Sequence, residues 1–214
     1  MESTSAQNIP TKSGGVSIVS ERPLPARQPK RITWKEFSSR YLQREDGHTY
    51  EWVNGLVQKT TNTMNPTQLY IQRNLQEIFI KLRIAGKTSG QLLAEPDLFF
   101  FPEIHRRPDF AWLTDQQIDH LSKPGVIEIP TFVIEVISNN DAAIRVVEKM
   151  RDYRKAGVRI VWLIYPSEQE VNVYSGANLE NMIVRSGDQI CSAAAALPTF
   201  ECSVNDIFRK TATP

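Results

Sequence analysis

Three residues in this chain have the types and spacing to do chemistry together: Asp109, Glu135 and Lys149. Asp109 opens the run Pro108-Asp109-Phe110-Ala111-Trp112-Leu113, and Glu135 sits in the middle of Phe132-Val133-Ile134-Glu135-Val136-Ile137. A strand buried on both faces is as a rule solidly apolar. A carboxylate inside one is costly unless a cation or hydrogen-bond donors meet it. Hard oxygen ligands of this kind suit Mg²⁺ or Mn²⁺, which keep several waters and take one or two protein carboxylates. With Lys149 aimed at the same place, the three residues could activate water and hold a phosphate. Each also has an ordinary alternative. Pro-Asp is a turn dipeptide, an acid on an edge strand simply faces water, and a lysine at the rim of an apolar helix face can snorkel to solvent.

The elements that must position these residues are legible as patterns. Phe132–Ile137, a helix over 141–156 and Arg159–Tyr165 predict a βαβ unit with parallel strands. Ser138-Asn139-Asn140 is expected to cap its helix and Gly157 to end it. Within that helix Val146, Lys149 and Tyr153 share one stripe, with Ala142, Val146, Met150 and Tyr153 as the apolar face. Upstream, Thr33-x-x-Glu36 has the form of a capping box. Asn54-Gly55 between Tyr50–Val53 and Leu56–Lys59 is a strong hairpin signal. Alternation in that hairpin turns Glu51 away from the rings of Tyr50 and Trp52.

Asn65-Pro66 starts a second helix, with Ile71, Leu75, Ile78, Phe79 and Leu82 on its apolar side and Gly86 past its end. One strand is expected over Leu92–Phe101 and another over Asp109–Leu113. A polar bridge with Lys123-Pro124-Gly125 follows, and a late hairpin lies near 171–184. The hairpins should pair antiparallel, giving a mixed sheet with helices.

Bulk properties narrow the class. The chain has 214 residues, 41% hydrophobic and 23% charged, with a net charge of +1, which fits one soluble domain with an extra tail. Residues 1–31 carry four prolines and no sustained apolar period, and are expected to be a flexible N-terminal tail. No charged-then-apolar-then-small pattern opens the sequence, so a cytoplasmic location is expected. Cys191 and Cys202 lack metal-like spacing and are expected to be free thiols. The three histidines, His48, His105 and His120, are too scattered for a zinc site.

The balanced charge is unlike that of a coat-like DNA binder, yet a local basic patch exists. Between Asp141 and Arg159 six cations face three acids, and Arg106-Arg107 precede Pro108-Asp109. Such cations can contact phosphates without reading sequence, or simply solvate a helix face. Two decoys fail: Gly86-Lys87-Thr88 ends a helix instead of starting one, and Pro96-Asp97 places proline within an apolar run, which marks a bulge or edge.

Several segments in order resemble the putative restriction endonuclease family, a branch of the PD-(D/E)XK nuclease superfamily. They are Tyr50-Glu51-Trp52-Val53-Asn54-Gly55, Pro108-Asp109-Phe110-Ala111, Val133-Ile134-Glu135-Val136-Ile137-Ser138, Lys149-x-x-x-Tyr153-x-x-x-Gly157-Val158 and Val161-Trp162-Leu163-Ile164. With Leu197-Pro198-Thr199-Phe200 and Ile207-Phe208 the resemblance spans about residues 33–208, within a nuclease-like domain over 32–210. It implies a restriction-endonuclease-like α/β/α core with a central mixed β-sheet, and Mg²⁺-dependent cleavage of DNA phosphodiester bonds, with Mn²⁺ as a substitute. Asp109 and Glu135 match the family's acids, and Glu51 its N-terminal glutamate. The lysine that the wider superfamily places two residues after the second acid is here Ile137; Lys149 on the next helix matches the family's shifted lysine. Where members often carry a histidine early in the second helix, this chain has Gln68.

The resulting expectation is a catalytic set of Glu51, Asp109, Glu135 and Lys149, with Asp109, Glu135 and the Val136 carbonyl as metal ligands. Glu51 would orient the water or hold a second ion. A homodimer would let two sites cut two strands. Two other readings stay open: a nuclease-fold protein that binds nucleic acid without cutting it, and an unrelated metal-dependent hydrolase of small phosphoesters.

Overall fold

The computed structural model describes residues 29–61, 66–123, 126–138 and 142–211; the tail over 1–28 lies outside them. Its centre is a six-stranded sheet of order β10-β9-β8-β7-β6-β3. The strands are β3 (Gln91–Ala94), β6 (Phe110–Leu113), β7 (Phe132–Val136), β8 (Ile160–Tyr165), β9 (Glu170–Ser175) and β10 (Asn181–Ser186). Only β7 and β8 run parallel, joined by α4 (Ala143–Ala156) as the βαβ pattern predicts; the other neighbours are antiparallel. The mixed α/β architecture is therefore the expected one.

Side-chain alternation sorts the sheet into two faces. Phe110, Trp112, Phe132, Ile134, Ile160, Trp162 and Ile164 pack with Ile71, Leu75 and Phe79 of α2 (Pro66–Ile84) and Ile207 of α5 (Val204–Phe208). Ala111, Leu113, Val133, Val161 and Leu163 pack on the opposite side with Met150 and Tyr153 of α4 and with Leu98 and Phe100. Asp109 and Glu135 follow the parity of this second set. Their side chains therefore belong to the α4 side.

A four-stranded sheet of order β2-β1-β5-β4 forms from β1 (His48–Val53), β2 (Leu56–Thr61), β5 (Ile104–Arg106) and β4 (Leu98–Phe101). Asn54 and Gly55 both take positive φ (50° and 80°), as a two-residue hairpin turn requires. The cap of α1 (Trp34–Arg40) is the reciprocal Thr33–Glu36 box, and Phe37 packs with Tyr50 and Trp52. A short ribbon of β11 (Ile190–Ser192) and β12 (Glu201–Ser203) sets Cys191 opposite Cys202. Both thiols are free and buried; burial pushes Cys191 up to about 12 and Cys202 higher still, so neither is a ready nucleophile.

Three expectations are corrected. The single strand over Leu92–Phe101 is two strands in different sheets. Glu95 at φ 46° and the following Pro96 turn the chain between them, since proline cannot donate to a ladder. The polar bridge after β6 contains a helix, α3 (Asp115–Leu121), started by a reciprocal Thr114–Gln117 box. Helix α4 starts after Ala142, which gives no side-chain cap; Asn139, Asn140 and Asp141 lie outside the described residues. So do Asn65, Pro124 and Gly125, although Pro66 is the first residue of α2. Gly157 does cap α4 in the left-handed conformation. No helix among the described residues is long and apolar enough to cross a membrane.

Candidate active site

The register between β6 and β7 pairs Ala111 with Val133 and Phe110 with Ile134. One step further, the same register sets Asp109 opposite Glu135. Past that point the ladder gives way to a side-chain bond: Asp109 Oδ2 accepts the Val136 N–H at 2.5 Å. Helix α4 crosses this end of the sheet. Lys149 Nζ donates to Glu135 Oε2 at 2.9 Å, and the Tyr153 hydroxyl donates to Glu135 Oε1. Lys149 also stands 3.4 Å from Glu51 Oε1, which reaches in from β1. Because 149 and 153 are one helical turn apart, one α4 face grips both oxygens of Glu135.

These groups line a cavity of about 300 Å³ that also touches Gln58, Gln68, Glu95, Arg107 and Val136. Its electrostatics are those of crowded negative charge. Burial pushes the Asp109 carboxyl up to about 7, with the Glu135 charge adding to the rise. Glu135 is likewise raised by burial, which Lys149 opposes. For Glu51, burial would raise the carboxyl, but Lys149 and Arg106 together outweigh it and hold it below the usual range. Burial would strip the proton from Lys149, yet Glu135, Glu51 and Asp109 more than offset this, so it stays an ammonium.

A divalent cation fits this donor set. Asp109 is protonated in part near neutrality because two acids share a poorly solvated corner, and an added cation removes that penalty. Among the described residues no three His, Cys, Asp or Glu side chains form a ready ligand cluster. An ion here would rest on Asp109, Glu135 and backbone or water oxygens, the pattern that Mg²⁺ prefers.

All five residues singled out from sequence, Glu51, Asp109, Glu135, Val136 and Lys149, line this one cavity. Members of the basic patch have other partners: Arg145, itself on the cavity wall, pairs with Glu148 at 3.1 Å, and Arg154 donates to the Asn178 carbonyl at 2.6 Å. Arg106, grouped with that patch by sequence, is fully buried and is tied to Glu51, Gln58 and Asp152. Its neighbour Arg107 remains on the cavity wall, where its Nε donates to the Glu95 carbonyl at 3.1 Å. Hydropathy carries no sign of a buried arginine. Tyr153 was visible as part of the Lys149 stripe, but its bond to Glu135 was not.

A crystal structure of a putative nuclease from Anabaena variabilis superposes with a TM-score of 0.68 over 84% of this chain and 98% of that one, at 19% identity. That likeness concerns the fold. No curated protein matches the chain. A family model described as putative restriction endonuclease matches residues 34–205, from the first residue of α1 to the start of α5. That match takes in both sheets and every residue of the cavity, so the chain belongs to the putative restriction endonuclease family.

Proposed function

We propose that this protein is a divalent-metal-dependent endonuclease that hydrolyses DNA phosphodiester bonds at the Asp109–Glu135–Lys149 cavity. The observation that carries the proposal is the meeting of buried Glu135 on β7 and half-buried Asp109, just before the adjacent β6, with a lysine that its surroundings keep charged. Asp109, Glu135 and the Val136 carbonyl would hold Mg²⁺ or Mn²⁺, which would supply Lewis-acid polarisation of the phosphate and ease deprotonation of the attacking water. The protein's own groups do the rest. Tyr153 fixes the orientation of Glu135 by donating to one oxygen, and the Val136 N–H fixes Asp109. Lys149, as a permanent ammonium, serves electrostatically: it orients the attacking water and neutralises charge growing on the phosphate oxygens. It is not the base.

A homodimer would bring two such cavities to the two strands of a duplex. The open edge of β10 supports this, since it exposes Met182, Ile183 and Val184, and such edges are surfaces for strand pairing. A second reading, a nuclease fold that binds nucleic acid without cutting it, draws on a different observation. Both oxygens of Glu135 already have protein partners, so the acid is satisfied as it stands.

Supercoiled plasmid incubated with purified protein separates the two. The endonuclease reading expects nicked and linear forms with Mg²⁺ or Mn²⁺ and none with chelator. DNA retained on the protein but left intact under every metal condition would favour the inactive binder. Hydrolysis of small phosphoesters without DNA cleavage would point to the unrelated hydrolase.

A further inference from the structure

Five side chains of alternating charge run from α4 through the four-stranded sheet, back to α4 and on to β7. Asp152 on α4 pairs with Arg106 on β5, whose Nη2 lies 2.6 Å from Asp152 Oδ2. The Nη1 of the same arginine donates to Glu51 Oε2 on β1 at 2.8 Å and to Gln58 Oε1 on β2 at 2.7 Å. The other oxygen of Glu51 accepts the Arg107 N–H at 2.9 Å and faces Lys149 Nζ at 3.4 Å. Lys149 then reaches Glu135 on β7 at 2.9 Å. Arg106 is 0% exposed, yet its Nε and both terminal nitrogens are bonded. The two α4 members of this series, residues 152 and 149, stand one helical turn apart.

We infer that Arg106 is a positioning residue of the active site, acting on Lys149 through Glu51, and that Glu51 serves as the second counter-ion of Lys149. The inference rests on the endonuclease reading above and deepens it. A lysine ammonium is a point charge on a flexible four-carbon stem. A single partner, Glu135, would leave it free to swing about that contact. A second anion on another strand fixes it in two directions, provided the second anion is itself fixed. Both oxygens of Glu51 are held, one by a rigid guanidinium fork and one by a main-chain N–H, so Glu51 meets that condition.

Tying the small sheet to α4 does not explain the arrangement. Well-packed apolar residues would join the two at least as stably as buried ions. What an ionic chain adds is a fixed ammonium at its far end, beside the two acids that face the cavity.

Arg106→Ala would strand Glu51 and Asp152 as unpaired buried acids and endanger the fold, so milder variants are the right probes. Arg106→Lys and Asp152→Asn are each made in the native chain and in Lys149→Ala. The readouts are single-turnover cleavage of a DNA duplex, duplex affinity, and Mn²⁺ affinity. A displacement of about 1 Å can cost on the order of 10²-fold in rate, so each variant is expected to slow cleavage at least about tenfold with DNA and Mn²⁺ affinities unchanged. In the Lys149→Ala background the same substitutions should cost nothing further, because the group they position is gone. Losses that multiply in both backgrounds, or that fall on Mn²⁺ affinity, would overturn the inference.

A crystal structure of Asp152→Asn reads the same point without any activity. The expected result is Lys149 Nζ displaced from Glu51 and Glu135; an unmoved Nζ would contradict it. If the native protein cuts no DNA but Lys149 moves, the endonuclease reading fails and the positioning role stands.

Discussion

Lys149→Ala is expected to slow DNA cleavage by about 10²–10³-fold, the usual cost of removing one preorganised charge contact to a transition state. Metal affinity should survive, since an ammonium is no ligand. Lys149 is the sensitive cation of α4 because it alone there stands between Glu135 and Glu51, whereas the neighbouring Arg151 pairs with Asp152 at 3.6 Å and Lys155 sits exposed past the stripe. Lys149→Arg should rescue poorly. It keeps the charge, but a planar fork cannot repeat a point contact to two carboxylates at 2.9 and 3.4 Å. Cleavage kinetics of Lys149→Ala and Lys155→Ala side by side decide the matter. A normal rate in the first and a dead enzyme in the second would reassign the lysine.

The second large effect concerns stability, and its sign runs against habit. Asp109 ionises near its ordinary value of 3.8 in the unfolded chain but at about 7 in the folded one. Between those values the folded protein binds more protons, so this residue's contribution favours folding at low pH and is lost as pH rises through about 7. Above that, ionised Asp109 weakens the metal-free protein by a few kcal/mol, at about 1.4 kcal/mol per pKa unit. Asp109→Asn keeps an oxygen for the Val136 N–H and removes the charge. It is therefore expected to melt higher than the native protein at pH 8 and by a clearly smaller margin at pH 5, in metal-free buffer. Thermal melts of the pair at the two pH values check this. Equal destabilisation by asparagine at both would show that the carboxylate carries no such penalty.

How much of this was legible in the sequence depends on what kind of signal each residue leaves. Strong local codes came through: the Asn54-Gly55 hairpin, the Thr33–Glu36 box, Gly157 past α4, and the apolar runs that became β7 and β8. An acid inside an apolar run is itself a local anomaly, which is why Asp109 and Glu135 could be found, and strand alternation placed Glu51 away from Tyr50 and Trp52. Helix α3 was missed because it is short and none of its residues is fully buried, so only Ile118 and Leu121 mark its packed side. The break between β3 and β4 was missed because both flanks are apolar and only Glu95-Pro96 marks the change of sheet. Arg106 left no trace at all. Its partners stand 46 to 55 positions away in the chain, and a buried guanidinium looks like any surface one in a list of residues. Networks that depend on long-range pairing are legible only once the strands are placed.

Asp109 and Glu135 are proposed to hold jointly the divalent ion on which cleavage depends. The most direct measurement is a Mn²⁺ titration, followed by calorimetry or by the electron-spin signal of free Mn²⁺, on the native protein, Asp109→Asn, Glu135→Gln and Lys149→Ala. The account predicts a bound ion in the native protein, loss of that binding when either acid is neutralised, and retention in Lys149→Ala. Undiminished Mn²⁺ binding after both acids are neutralised together would contradict it.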